Sequence, residues 1–465
     1  MKWATYIRAI PVTLAVLVIL VFVLWLLPHP GETLKLRIPG ADAAPGGEVA
    51  GDNPVLAGKV ISGDGRPASL PGAWPQFRGP RRDGVSTNSP VLSRDWKTSP
   101  PRELWSLDVG EGYAGVAVRD GRVYLLDYDR DARQSSLRCL SLADGKEIWR
   151  FAYPLTIKRN HGMTRTVPTL AGNFVIGFDS KCNVFALDVI TGELKWSMSL
   201  VREFGASVPE WYAGQCPLVD GDKVILAPGG KEALLLALEL TTGKPLWQTP
   251  NPHGWKMTHS SIMPMDFDDQ RLYVYCAAKG VVGVDARDGK LVWETTDWKL
   301  AIATVPSPVP LPDDRILLAG GYGAGSVMLQ LNRKGDAISV RTSLRLGPEV
   351  FGATQHTPIY RDGYIYGARA DNRFVCLDLN GKVVWASGPD ASFGLGPFLM
   401  TDNLIFALND AGLLRLLVAS PDKFQLLGQA QVLQGRESWA PLSLAGNRLL
   451  ARDLTRLICL QVGED

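Results

Sequence analysis

The chain repeats itself, and no other property limits its fold as strongly. One unit reads Pro168-Thr-Leu-Ala-Gly-Asn-Phe-Val-Ile-Gly, then Val184-Phe-Ala-Leu-Asp, then Thr191-Gly-Glu-Leu-Lys-Trp. The next reads Pro217-Leu-Val-Asp-Gly-Asp-Lys-Val-Ile-Leu, Leu236-Ala-Leu-Glu and Thr242-Gly-Lys-Pro-Leu-Trp. The same ending recurs at Asp144-Gly-Lys-Glu-Ile-Trp, Asp288-Gly-Lys-Leu-Val-Trp and Asn380-Gly-Lys-Val-Val-Trp. Each unit is a short apolar strand, a turn, a second strand, a glycine turn and a strand ending in tryptophan. Trp149, Trp196, Trp247 and Trp293 are spaced by 47, 51 and 46 residues, and copies lacking the tryptophan cover 315–331, 403–427 and 447–461. The count is eight units over 103–465.

A period of 40–50 residues with four strands per unit predicts an all-β fold, an eight-bladed β-propeller of four-stranded blades. A small sheet with two apolar faces is unstable alone, and radial packing covers both faces, with tryptophan as the wedge. The last unit ends before any Gly-x-x-x-Trp strand, and an orphan of that kind, Glu103-Leu-Trp-Ser-Leu-Asp-Val, stands ahead of the first unit. Residues 103–109 are therefore expected to complete the last blade and close the ring.

Upstream, residues 10–27 form an uncharged run of eighteen, about 27 Å as a helix and close to the hydrocarbon thickness of a bilayer. A cleaved signal peptide and a retained anchor compete. The run is long for a signal core, and Ala41-Asp-Ala lies too far downstream to serve as its cleavage site, so a retained single-pass anchor in 1–30 is expected. Lys2 and Arg8 precede the span, and a short N-terminal tail that stays inside puts the propeller on the extracytoplasmic, periplasmic side. Residues 31–73 read as a Pro/Gly-rich linker, with seven Pro and nine Gly between positions 28 and 73. Residues 74–102 read as a preamble packing Trp74 and Phe77 on the propeller.

The repeats resemble those of the PQQ-binding-like, quinoprotein-dehydrogenase-like propellers, in which a Thr/Asp-Gly-Lys-x-x-Trp motif recurs. Trp74-Pro-Gln-Phe-Arg-Gly-Pro-Arg-Arg-Asp-Gly-Val-Ser is similar to a preamble of bacterial membrane-anchored or secreted members, notably planctomycete ones. The resemblance implies one of two functions, between which fold does not choose. BamB-like members are scaffolds that bind partner polypeptides in outer-membrane protein assembly. Quinoprotein alcohol or sugar dehydrogenases bind PQQ and Ca²⁺ over the channel, above an adjacent cysteine pair. This chain has no adjacent cysteines and no motif that places a catalytic Asp or a Ca²⁺ ligand set. The scaffold is the expected function, with an envelope protein or peptide segment as partner and no cofactor; PQQ with Ca²⁺ is the alternative, and carbohydrate binding at Trp211, Tyr212 and Trp255 a third.

No other chemistry stands out. Six cysteines in 465 residues are no disulfide scaffold, and Cys139, Cys376 and Cys459 share one repeat register, a small apolar slot in the third strand. A formal net charge of +2 gives no case for nucleic acid. Walker, Gly-x-Ser-x-Gly and His-Glu-x-x-His motifs are absent, and Gly320-Gly-Tyr-Gly-Ala-Gly lies between strands, as a turn would. The site candidates come from the segments ahead of each unit's first proline, read as innermost, channel-lining strands: His161, Arg165, Trp211, Gln215, Lys256, His259, Gln355, His356, Glu437 and Trp439. Converging on one channel mouth, they form a ligand or partner site, or a hydrated polar rim.

Overall fold

The computed structural model describes residues 17–22, 53–87 and 91–463. Residues 17–22 are helical, and the rest of the expected anchor lies outside the described residues. Among the described residues no helix is long and apolar enough to cross a membrane.

Eight antiparallel sheets follow one another along the chain. The first-strand positions are Val116–Arg119 in blade 1, Thr169–Ala171 in blade 2, Leu218–Asp220 in blade 3 and Met263–Phe267 in blade 4. Val309–Leu311, Ile359–Arg361, Phe398–Met400 and Ser443–Ala445 begin blades 5 to 8. The first strand of blade 1 lies beside those of blades 2 and 8, so the ring is closed. Closure runs through the orphan segment as expected. Arg102–Asp108 pairs antiparallel with Arg456–Gln461, with Trp105 opposite Cys459, as the outermost strand of blade 8.

The tryptophan-glycine repeat has a direct physical cause. A Cβ on Gly192 would lie 2.7 Å from the Trp149 ring of the preceding blade, and one on Gly145 at the same distance from Trp105. Both glycines have φ near +70°, which favours glycine. The indole of Trp105 donates to Leu142 O at 3.0 Å and that of Trp196 to Leu240 O at 2.8 Å, each in the next blade. Opposite each tryptophan the third strand carries a small residue: Cys139, Ala186, Ala237, Gly283, Cys376 or Cys459. The cysteine register is thus the slot that admits the indole. All six cysteines are free and buried, and burial pushes the thiols of Cys139, Cys376 and Cys459 up to about 12.

The structure moves one boundary. Residues 53–73, expected within the linker, lie on the propeller. Lys59–Ser62 adds a fifth strand to blade 1, pairing with its outermost strand, Glu147–Pro154. Val55 is fully buried ahead of it, and the Asn53 amide donates to Ser197 of blade 2 at 3.0 Å.

The preamble also does more than pack. Backbone bonds join Trp74 to Val118 of blade 1 and Pro75 O to Leu170 of blade 2. The Arg82 guanidinium, 1% exposed, donates to the carbonyls of Cys216, Pro217 and Ile262, at the inner edges of blades 3 and 4. Across the axis, Arg78 donates to Thr357 O at 2.6 Å and Pro358 O at 2.9 Å in blade 6. Gly84 and Ser86 bond Met400 of blade 7. One segment held by inner strands on opposite sides of the ring fills the bore. Ala68 N–H bonds Gly121 O, so the plug enters from the face bearing the first-to-second-strand turns.

Candidate functional site

The other face is the mouth. It is built from the lead-in segments, which join each blade's outermost strand to the next blade's innermost one, and from the second-to-third-strand turns packed on them. Ala213 N–H, in the lead-in to blade 3, bonds Ser180 O in such a turn, and Ala278 N–H bonds Lys256 O. This corrects one expectation. The candidate segments are irregular lead-ins, and the innermost strands begin after them, as Thr169 does after Pro168. Proline lacks an N–H, so it suits the start of a strand or an edge strand such as the innermost one, within which Pro264 and Pro310 lie.

The lead-ins are bolted together by a belt of buried bonds at one repeat position. Val167 N–H donates to Cys216 Sγ at 3.3 Å, and Cys216 N–H to Ser261 Oγ at 2.9 Å. Ser261 N–H donates to Ser307 Oγ at 3.0 Å, and Ser307 N–H to Thr357 Oγ1 at 2.9 Å. Blades 2 to 6 are stitched in sequence by side chains that accept the neighbour's otherwise orphaned amide.

Most of the predicted residues do meet at the mouth. Arg165 lies over the Tyr113 ring, 5.4 Å from its centroid, and Tyr113 packs at 5.3 Å on Trp439. The Tyr113 hydroxyl donates to Glu437 at 2.7 Å, and the Trp439 indole to Asp410 at 2.8 Å. Arg165 donates to the carbonyls of Asn160, His161 and Gly162, and burial pulls its guanidinium down to about 10. His161 contributes through its backbone, at φ 46°. On the blade 3–4 side Trp211 meets His259 edge-on at 6.2 Å. Burial, reinforced by the nearby Arg165 charge, drives the His259 imidazole down to about 3. His356 is driven equally low by burial and by Arg78, against a bond involving the Trp439 backbone. Both histidines therefore stand neutral, each with a buried Nε2 that has no hydrogen-bond partner among the described residues.

Three candidates stand apart. Gln215 is turned into its own blade, where its amide group exchanges two bonds with the Ala227 backbone at 2.7 and 2.9 Å. Lys256 is exposed on the rim, and Gln355 is half-buried beside His356. Tyr113 and Asp410 were missed. Tyr113 could have been found, since it occupies the blade 1 lead-in at the position Arg165 holds in blade 2.

The residues present do not fit a calcium–quinone centre. Among the described residues no three His, Cys, Asp or Glu side chains converge as a ligand set. Glu437 and Asp410 already accept bonds from Tyr113 and Trp439.

Fold and site together define a closed eight-bladed propeller with a plugged bore and an aromatic, cationic mouth. The profile described as outer membrane protein assembly factor BamB matches residues 93–210 and 133–387, more than half of the chain, and the chain belongs to that family of PQQ-like propellers. No curated protein matches it. Among solved structures, BamB from Moraxella catarrhalis is similar at 15% identity and a TM-score of 0.53, covering 78% of this chain and 99% of that one. The quinohemoprotein alcohol dehydrogenase ADHIIG from Pseudomonas putida HK5 is similar at 13% identity and a TM-score of 0.59, over 85% of this chain and 81% of that one. The computationally designed Ika8 protein is similar at 12% identity and a TM-score of 0.51, over 77% and 99%. At these identities the likeness is one of fold.

Proposed function

We propose that the chain is a membrane-anchored, extracytoplasmic propeller that serves as a non-catalytic protein-binding scaffold in cell-envelope or outer-membrane protein assembly, with the mouth as its contact surface. The observation that carries this reading is how the mouth's polar groups are used. Glu437, Asp410 and Arg165 are engaged in holding the lead-ins together, His259 and His356 are neutral, and the bore behind them is filled. Trp211, Trp439 and Arg165, half-exposed, are the residue types that anchor protein interfaces. Rigid blades hold the irregular lead-ins in place, an arrangement suited to binding. The family membership supports the same reading. Mild cross-linking in isolated envelopes tests it: the wild-type chain is expected to capture a discrete envelope protein and an Arg165→Ala, Trp439→Ala variant to lose most of it. Equal capture by the folded variant would remove the mouth from the contact.

A further inference from the structure

Charge is unevenly distributed around the mouth. The second-to-third-strand turns of blades 2, 3 and 4 carry a lysine at the same place: Lys181, Lys231 and Lys279. The lead-ins to blades 4 and 5 add Lys256 and Lys299. Lys231, Lys256, Lys279 and Lys299 are exposed, and none forms an ion pair among the described residues. The acids interspersed with them are Glu203, Glu210, Glu232 and Asp297; Glu203 is paired with Arg202, and the Asp297 carboxylate is already held by Thr342 Oγ1 at 2.9 Å. Inside this arc lies the half-buried recess of Arg165, His259 and Trp211, and on its rim Ile302 is 52% exposed. The opposite face carries both signs, largely paired. The aspartates of its first-to-second-strand turns, Asp120, Asp220, Asp268, Asp313, Asp362 and Asp402, form ion pairs with Arg119, Arg271, Arg333, Arg315 and, for the last two, Arg361.

We infer that the blade 3–5 arc of the mouth binds an extended acidic segment of a partner polypeptide, its carboxylates over Lys231, Lys256, Lys279 and Lys299 and an apolar side chain against Trp211 and Ile302. The inference rests on the mouth being a protein-binding surface and names the chemistry of what it takes. Complementary charge steers the segment to this face, where the lysines are unpaired, and not to the opposite one, where charges of both signs are paired. An extended chain reaches the recess at Trp211 and Arg165; a planar anionic bilayer meets only the lysines on the rim.

The test uses the full-length chain in detergent and fluorescein-labelled peptides of alternating Asp and Leu, or Lys and Leu, followed by anisotropy. The Asp peptide binds and the Lys peptide does not. Lys256→Glu, Lys279→Glu, Lys299→Glu together weaken binding about tenfold or more at low salt, while Lys146→Glu, Lys244→Glu, Lys290→Glu on the opposite face leave it within about twofold. Equal binding of both peptides, or indifference to the mouth variant, overturns the inference. So does sedimentation with phosphatidylglycerol vesicles that the mouth variant abolishes, if the Asp peptide is not bound. Partner cross-linking from the mouth without Asp-peptide binding would sink this inference and leave the scaffold reading standing; loss of both would sink the scaffold reading too.

Discussion

Ser307 is the sharpest test of how the mouth is held rigid. It is 2% exposed, and its hydroxyl is the acceptor for Ser261 N–H at 3.0 Å, across the blade 4–5 junction. Ser307→Ala removes one oxygen, opens almost no volume, and leaves the Ser261 amide at a residue 1% exposed. A buried donor left without a partner costs about 1–3 kcal/mol. Where local opening governs exchange, that corresponds to roughly 5- to 150-fold faster hydrogen exchange at the Ser261 amide. Ser307→Thr keeps the hydroxyl, in the form that Thr357 already supplies one blade further on, and is expected to exchange like the wild type. Hydrogen exchange with mass spectrometry on the peptide containing Ser261 reads the effect directly, and urea unfolding supplies the global value. If Ser307→Ala leaves both the Ser261 amide and the urea midpoint unchanged, the belt contributes nothing and the argument from orphaned amides is wrong.

Three further outcomes follow from the same structure. Arg82→Met strands the carbonyls of Cys216, Pro217 and Ile262 and should cost about 3 kcal/mol or more in urea unfolding, whereas Arg81→Met, at an exposed pair with Asp83, should cost under about 1 kcal/mol. His259 and His356 resist protonation down to about 3 when folded, while in the unfolded chain they take up a proton below about 6.5. Falling pH therefore favours unfolding, by up to about 1.4 kcal/mol per pH unit for each histidine, and His259→Gln, His356→Gln together should flatten the decline in urea midpoint between about pH 6.5 and 4; an unchanged slope refutes the assignment. PQQ with Ca²⁺ should give no saturable thermal shift, and a clear one would restore the quinoprotein reading.

What the sequence disclosed, and what it hid, divides along physical lines. The blades were legible because side-chain packing repeats: Trp105, Trp149, Trp196 and Trp247 each meet a glycine in the next blade and a small residue opposite, and all three recur in register. Ring closure was legible for the same reason, since Trp105 had no unit of its own. The plug was not, because Arg78 and Arg82 bind backbone carbonyls, which leave no mark on composition. The fifth strand of blade 1 was read as linker because all four of its residues are exposed, so no apolar alternation betrays it. Gln215 was misplaced because it sits beside belt residue Cys216 in the right segment but turns inward to the Ala227 backbone. His161, Arg165, Trp211, His259, His356, Glu437 and Trp439 lie in lead-in segments, and any irregular segment joining two blades of a propeller must lie at one of its faces.

The measurement that addresses the scaffold claim most directly is site-specific photo-cross-linking in intact envelopes, with the photoreactive residue placed in turn at Trp211, Lys256 and Lys279 on the mouth and at Lys146, Lys244 and Lys290 on the opposite face. A protein-binding mouth predicts one discrete envelope adduct from the first set and none from the second. Adducts only from the opposite face, or from neither, would contradict the account.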